Sequence, residues 1–110
     1  MIPAISPMEY KRLRSFPHAY YADAFKNLGN VLTAIYSEYG FDLYDFRDIA
    51  ALGGSDAEMI GEKHASEKMS LRMFIQMAKQ NKKLGAYADI PSLTGKLSAA
   101  TSTYYVFGLQ

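Results

Sequence analysis

The amino-acid sequence predicts a mainly α-helical fold, a compact bundle of four to six helices organised around one long amphipathic helix at about residues 18–39. A short strand or an extended tail completes the C-terminus. Three observations support this prediction: helical apolar spacing over residues 18–39, two N-capping patterns, and β-forming residues that gather only near the end of the chain. With 110 residues, of which 49% are hydrophobic and 21% charged, the chain has the composition of a single domain, residues 1–110.

The first helix is predicted to begin at Pro7. Ser6 supplies a hydroxyl at the N-cap position, and Glu9 lies where a carboxylate can reach back to the N–H of the cap. The helix ends at about residue 15, because the residue before Pro17 is pushed away from helical backbone angles.

The long helix is predicted to dominate the core. Its apolar residues recur at steps of four and three, which keeps them within one arc of a helix that turns about 100° per residue. They are Tyr21, Phe25, Leu28, Leu32, Ile35 and Tyr39. Gly40 supplies a left-handed stop. This stripe requires a covering apolar surface, either from this chain or from a second copy.

Two further helices are predicted in the middle of the chain. Asp42 can cap a third helix, which ends at Gly53-Gly54 and turns Phe46 and Ile49 inward. The four residues 55–58, Ser-Asp-Ala-Glu, form a second capping box that opens a helix of about ten residues. Met59 and Ile60 then face the core.

These two segments and their glycine turn loosely resemble the helix–turn–helix of bacterial regulators. The second helix would carry Asp56, Glu58 and Glu62, whereas a helix that enters a DNA groove needs cations and neutral hydrogen-bonding groups. A helical hairpin that serves only the core is therefore the favoured interpretation.

The C-terminal half predicts two more helices. A fifth helix spans residues 71–84, stops at Gly85 and carries cations on one side. Ser92 can cap a short sixth helix through Leu93 and Leu97. Residues 101–107 lack charge and are rich in β-formers, which leaves a strand or a tail docked on the helices as alternatives.

Charge is strongly ordered along the chain. Residues 38–67 hold eight acidic residues against two basic ones, and residues 68–83 hold five cations and no acid. Internal pairing of the two segments is the favoured interpretation, and two faces that attract different partners are the alternative.

Residue types argue against several chemistries. The absence of cysteine excludes disulfides, thiolate zinc sites and cysteine nucleophiles. His18 and His64 are far apart, and His64 with Glu67 does not complete a set of metal ligands. No phosphate-binding, hydrolase or metalloprotease motif occurs. We therefore expect a non-enzymatic cytoplasmic protein that has no metal, no cofactor and no membrane span.

The expected function is protein binding, as a small regulator, inhibitor or assembly subunit of the kind that phages and mobile elements often encode. Tyrosine and phenylalanine add large contact areas at interfaces with few torsions to freeze. The candidate interface residues are Tyr104, Tyr105, Val106, Phe107, Asp45, Asp48, Glu58 and Glu62. Self-association through the long helix or the tail is a further possibility.

Nucleic-acid binding is the alternative function. It would use the basic stripe, since phosphate contacts need exposed cations. The candidate residues are Lys68, Arg72, Lys79, Lys82 and Lys83.

Overall fold

Helices account for most of the residues that a computed structural model of the protein describes, namely 2, 4–14, 19–61 and 64–107, with side chains of the long helix described from residue 27 onward. This confirms the mainly α fold class. The described helices are α1 (Pro7–Arg14), α2 (Ala19–Glu38), α3 (Glu67–Gln80), α4 (Lys82–Gly85) and α5 (Ile90–Ala99). Two strands, β1 (Met59–Ile60) and β2 (His64–Ala65), pair as an antiparallel hairpin. No helix among these residues is both long and apolar enough to cross a membrane.

Helix α1 begins where the capping pattern predicts. The Ser6 hydroxyl accepts a hydrogen bond from the Glu9 N–H at 3.2 Å. A second acceptor comes from a distant part of the chain, because Asp56 Oδ1 accepts from the Met8 N–H at 3.0 Å. Asp56 therefore caps α1, although its own sequence context predicted the start of a separate helix.

The third and fourth predicted helices are wrong. The chain forms two short 3₁₀ helices, Ile49–Leu52 and Asp56–Glu58, and then the β1–β2 hairpin. Gly53, at φ +80°, ends the first 3₁₀ helix, and Gly61, at φ +76°, lies in the turn of the hairpin. Over the described residues of this segment, 42–61 and 64–65, no helix–turn–helix forms.

The hairpin also changes which side chains are buried. Met59 is buried as predicted, but its neighbour Ile60 is 56% exposed. Successive side chains of a strand point to opposite faces, so only one of the two can face the core.

The predicted fifth helix is interrupted. Helix α3 starts four residues earlier than predicted, because the Ser66 hydroxyl accepts from the Met69 N–H at 3.1 Å and caps it. Asn81 then breaks the helix and caps α4 by accepting from the Leu84 N–H at 3.0 Å. Asparagine competes with the backbone for hydrogen bonds in this way and favours helix boundaries.

The core forms where α3 packs on the segment that precedes it. Its buried cluster consists of Ala4, Phe46, Ile49, Met59 and Met69. The N-terminal segment joins this cluster through backbone bonds on both sides of Ile2, whose N–H donates to the Tyr44 carbonyl at 2.8 Å and whose carbonyl accepts from the Phe46 N–H at 3.0 Å. Residues from three separate parts of the chain therefore share one core.

Helix α2 is present as predicted, but none of its described side chains, residues 27–38, belongs to the buried core. Leu28, Ile35 and Tyr39 are 39%, 45% and 69% exposed, and the side chains of Tyr21 and Phe25 lie outside the described residues. The radius of gyration is 15.4 Å, against about 13 Å for a compact domain of this length. The described core therefore lies at α3, and the predicted compact bundle around α2 is supported only in its helical content.

The sixth predicted helix is confirmed as α5, with a different cap. Asp89 Oδ1, and not the Ser92 hydroxyl, caps the helix by accepting from the Ser92 N–H at 3.0 Å. Residues 100–107 form no strand and lie as a tail of turns on the N-terminus of α3. Of the two alternatives for this segment, the docked tail is observed.

Candidate protein-binding surface

The C-terminal tail is fastened to the first turn of α3. The Tyr104 carbonyl accepts from the Lys68 N–H at 2.9 Å, which satisfies one of the N–H groups left without a partner at a helix N-terminus. Glu67 Oε1 accepts from the N–H groups of Val106 and Phe107 at 2.7 and 2.8 Å. These three bonds fix the backbone on both sides of Tyr105.

A turn inside the tail fixes the preceding residues. The Ser102 hydroxyl accepts from the N–H groups of Tyr104 and Tyr105, both at 3.1 Å. The Ser102 carbonyl accepts from Lys68 Nζ at 3.3 Å. Serine hydroxyls commonly build such local turns, and this one orients the two tyrosines.

The four residues Tyr104, Tyr105, Val106 and Phe107 are here called the aromatic tail, and its three rings are partly exposed. Tyr104, Tyr105 and Phe107 are 40%, 51% and 42% exposed. Lys96 Nζ on α5 lies 5.5 Å from the centre of the Phe107 ring, within cation–π range. A fixed backbone thus carries three partly exposed rings.

A shallow groove of about 230 Å³ lies beside the aromatic tail. Its walls are the end of α5 and the tail itself, including Lys96, Ala99, Tyr105 and Val106. The aliphatic and aromatic parts of these walls can accept an apolar side chain, and Lys96 supplies one cation at the rim.

The electrostatics of Glu67 depend on the tail. Hydrogen bonds from the Phe107 and Val106 N–H groups stabilise the charged carboxylate and lower the pKa of Glu67 below its ordinary value. Docking of the tail is therefore coupled to the ionisation of one exposed side chain.

Glu58, one of the predicted interface carboxylates, is buried in an internal ion pair. Its two carboxylate oxygens accept from Arg72 Nε and Nη2 at 2.8 and 2.9 Å, and Lys68 Nζ lies 3.8 Å away. The hydrogen bonds with Glu58 raise the pKa of Arg72. Only 8% of the Glu58 side chain is exposed, so we assign it a structural role and remove it from the candidate interface.

The other predicted acidic residues differ in their surroundings. Asp48 is exposed. Asp45 is also exposed but pairs with Arg47, whose Nε and Nη2 lie 2.9 and 2.7 Å from the two carboxylate oxygens. Partial burial raises the pKa of Asp45, and the hydrogen bonds and charge of Arg47 outweigh that effect, so the pKa is lowered. Glu62 lies outside the described residues.

The basic stripe separates into two groups. Lys68 and Arg72 are mostly buried beside Glu58, as expected from internal pairing of the acidic and basic segments. Lys79, Lys82 and Lys83 are exposed. Lys79 and Arg72 border a cleft of about 320 Å³ between α3 and α5. The surface available to a polyanion is therefore smaller than the sequence predicted.

His64 lies exposed on β2. In the described part of the chain, no three histidine, aspartate or glutamate side chains are grouped closely enough to hold a metal ion. His18 lies outside the described residues.

Sequence reasoning missed the role of Glu67, which it considered only as a partner of His64. A negative residue in the first turn of a helix is a recognisable signal for a group that interacts with nearby N–H donors. The donors, however, belong to residues 39 and 40 positions away, and their proximity is set by the fold.

Comparison with known proteins finds no matching protein family, curated protein or solved structure.

Proposed function

We propose that this protein is a non-catalytic interaction module that binds a protein partner through the aromatic tail. One observation supports the proposal most directly: the tail backbone is fixed by Glu67 and Lys68 while the rings of Tyr104, Tyr105 and Phe107 stay partly exposed. A regulator, an inhibitor or an assembly subunit would use such a surface in the same way.

Fixing the backbone before binding reduces the free-energy cost of association. Ordering a flexible side chain at an interface costs about 0.5–1.5 kcal/mol, and a flexible backbone adds further loss. The aromatic tail avoids the backbone part of this cost, because Glu67 and Ser102 already hold the chain. Tyrosine is also among the residues that contribute most to interface affinity.

The neighbouring groove supports a partner of particular chemistry. An apolar side chain of the partner would enter the groove between α5 and the tail, and a carboxylate beside it would meet Lys96. We propose a partner segment in which an apolar residue stands next to an acidic one.

The proposal is tested by affinity capture from the native host with three baits. The wild-type protein is compared with the double variant Tyr105→Ala/Phe107→Ala and with Tyr87→Ala, which removes a tyrosine that is 93% exposed outside the tail. We expect the wild type and Tyr87→Ala to retain the same partner and the double variant to lose it. Retention of every captured protein by the double variant would contradict the proposal.

Nucleic-acid binding is the competing function. The three exposed lysines Lys79, Lys82 and Lys83 support it, and the internal pairing of Lys68 and Arg72 weakens it. Duplex DNA or heparin retention that falls steeply with salt and is lost in Lys79→Gln/Lys83→Gln would favour this alternative. No retention at low salt would remove it.

A further inference from the structure

The cleft of about 320 Å³ between α3 and α5 takes no part in the proposed role of the aromatic tail. One face of α3 and one face of α5 form its two long walls, and the 3₁₀ helix Ile49–Leu52 lies at the Arg72 end. Ligand-binding pockets in proteins range from about 300 to 1,000 Å³. The cleft is at the lower end of that range, so it has room for a small molecule.

Apolar side chains from all three elements meet in the cleft. They are Leu52 of the 3₁₀ helix, Ile75 of α3 and Leu97 of α5. Ile75 is 6% exposed, and Leu52 and Leu97 are half-buried, so the fold itself holds these side chains in place. Small-molecule sites are typically lined by apolar side chains, with a few polar groups that fix the orientation of the ligand. The apolar part of a ligand would lie on these three residues, where it leaves water.

Polar side chains that the fold leaves unused also line the cleft. Gln76 and Lys79 follow Ile75 on the same face of α3, and Thr94 and Ser98 belong to the facing side of α5. Within the described parts of the chain, none of these four polar side chains takes part in a hydrogen bond or an ion pair. A ligand can therefore bind them without breaking a contact that holds the protein together.

The two cations of the cleft differ in how far their charge is already paired. Arg72 donates from Nε and Nη2 to Glu58 at 2.8 and 2.9 Å, and its Nη1 donates to the Leu52 carbonyl at 3.4 Å. Lys79, further along α3, is exposed and has no carboxylate partner in the described structure. The described residues that line the cleft include no aspartate or glutamate. The cleft therefore favours a ligand with one negative charge.

We propose that this cleft binds a small monocarboxylate with an apolar chain. Its carboxylate binds Lys79, and its chain lies on Ile75 and Leu97 towards Leu52. Arg72 and Lys79 are about 10 Å apart along the α3 axis, which matches the length of a short acyl chain. A phosphate dianion would meet a single unpaired cation among the described lining residues, and the ammonium group of an amino acid would meet no carboxylate there. This inference does not depend on the proposed role of the aromatic tail.

An NMR titration of the full chain with hexanoate tests the proposal. We expect saturable amide shifts on the facing sides of α3 and α5, with a Kd of about 1–10 mM for so small a ligand. Hexanamide has the same chain without the charge and should bind about three- to fivefold more weakly, because one solvent-exposed ion pair is lost. Acetate keeps the charge without the chain and should give no saturable shift in the same range.

Two pairs of variants at exposed positions locate the binding. Lys79→Gln should bind hexanoate about three- to fivefold more weakly and hexanamide as the wild type does, whereas Lys83→Gln removes an exposed lysine outside the cleft and should bind both like the wild type. Ser98→Phe places a ring in the cleft and should abolish the shifts. Ser92→Phe places the same ring elsewhere on α5 and should keep them.

Three results would overturn the proposal. The first is a wild-type protein that shows no saturable shift in the cleft up to about 50 mM hexanoate. The second is equal binding of hexanoate by Lys79→Gln and Lys83→Gln, which would show that Lys79 does not hold the carboxylate. The third is inorganic phosphate that binds the cleft more tightly than hexanoate, which would show that the cleft selects charge and not an apolar chain. The variant Tyr105→Ala/Phe107→Ala should bind hexanoate like the wild type, so this test is separate from that of the aromatic tail.

Discussion

Individual carboxylates show most clearly how the tertiary environment assigns roles to residues. Glu58 and Glu67 are nine positions apart in the same acidic segment, but Glu58 accepts from buried cations and Glu67 accepts from backbone N–H groups of the tail. Both carboxylates therefore bind groups of the same chain, Glu58 in a buried ion pair and Glu67 at the surface. Because both carboxylates are engaged within the chain, fewer acidic side chains of residues 38–67 are available to bind a partner.

Removing the Glu58 carboxylate should destabilise the protein. Glu58→Ala leaves Arg72 and Lys68 mostly buried without their partner, and we expect the free energy of unfolding to fall by about 2–3 kcal/mol, since both cations keep some contact with water. Urea denaturation measures the change. Asp48→Ala, which truncates an exposed acidic side chain, should change the free energy of unfolding by less than about 0.5 kcal/mol. Equal effects of the two variants would show that the buried pair is not stabilising.

Acid should release the aromatic tail. Because the folded-state pKa of Glu67 is lowered, the docking it provides is complete above its ordinary pKa of 4.5 and is lost as the pH falls through the lower folded value. Amide NMR shifts of Val106 and Phe107 should follow this single titration. In Glu67→Gln the amide shifts of Val106 and Phe107 should not depend on pH over this range. If they still do, another group is responsible for the titration.

At the scale of secondary-structure elements, two glycines, Gly54 and Gly95, have opposite surroundings. Gly54 lies where the chain passes α3, and a Cβ atom there would overlap Met69 Cε and lie 3.0 Å from the Ile49 carbonyl. Gly95, in contrast, lies inside α5 with no atom within 4 Å of such a Cβ. Close packing therefore requires a glycine at the first position and not at the second.

The two glycine positions should respond to alanine with opposite signs. Gly54→Ala should lower the free energy of unfolding by about 1–3 kcal/mol, because it overpacks the fully buried Met69. Gly95→Ala should raise it by about 0.5–1 kcal/mol, because alanine is the better helix former in an open position. Thermal unfolding of the two variants measures both changes, and stabilisation by Gly54→Ala would be inconsistent with the described packing.

At the scale of the whole molecule, the protein has a core at one place and an exposed apolar helix at another. The core gathers around α3, whereas Leu28, Val31 and Ile35 of α2 are exposed and the molecule measures 44 × 33 × 17 Å. Such a flat and extended shape buries less apolar surface than a compact bundle of this length. Its stability should therefore vary along the chain.

Hydrogen exchange should detect this variation. In dilute solution, backbone amides of α2 should exchange by local opening, faster than those of α3 near Leu71 and Ile75, which need global unfolding. Mass spectrometry of peptides from the two helices measures the rates. Equal protection of both helices at low concentration would show that they unfold as one unit.

Local patterns predicted part of this fold and tertiary contacts decided the rest. The capping residues before α1 and the apolar spacing of α2 act over one or two turns, so both helices follow from the sequence alone. The same rules failed between residues 42 and 65, where glycines in left-handed conformations favoured 3₁₀ helices and a hairpin. For the candidate surface, the sequence indicated the aromatic tail but not the side chains that hold it.

The sequence by itself determined that this protein is mainly helical, that it contains one long amphipathic helix, and that its charges can pair internally. Only the tertiary structure decided which apolar side chains of α2 are exposed, which carboxylates are buried and how the tail is held. The physical reason is distance along the chain. Met8 with Asp56, Glu58 with Arg72 and Glu67 with Val106 are 48, 14 and 39 positions apart, and no local spacing rule reaches across such separations.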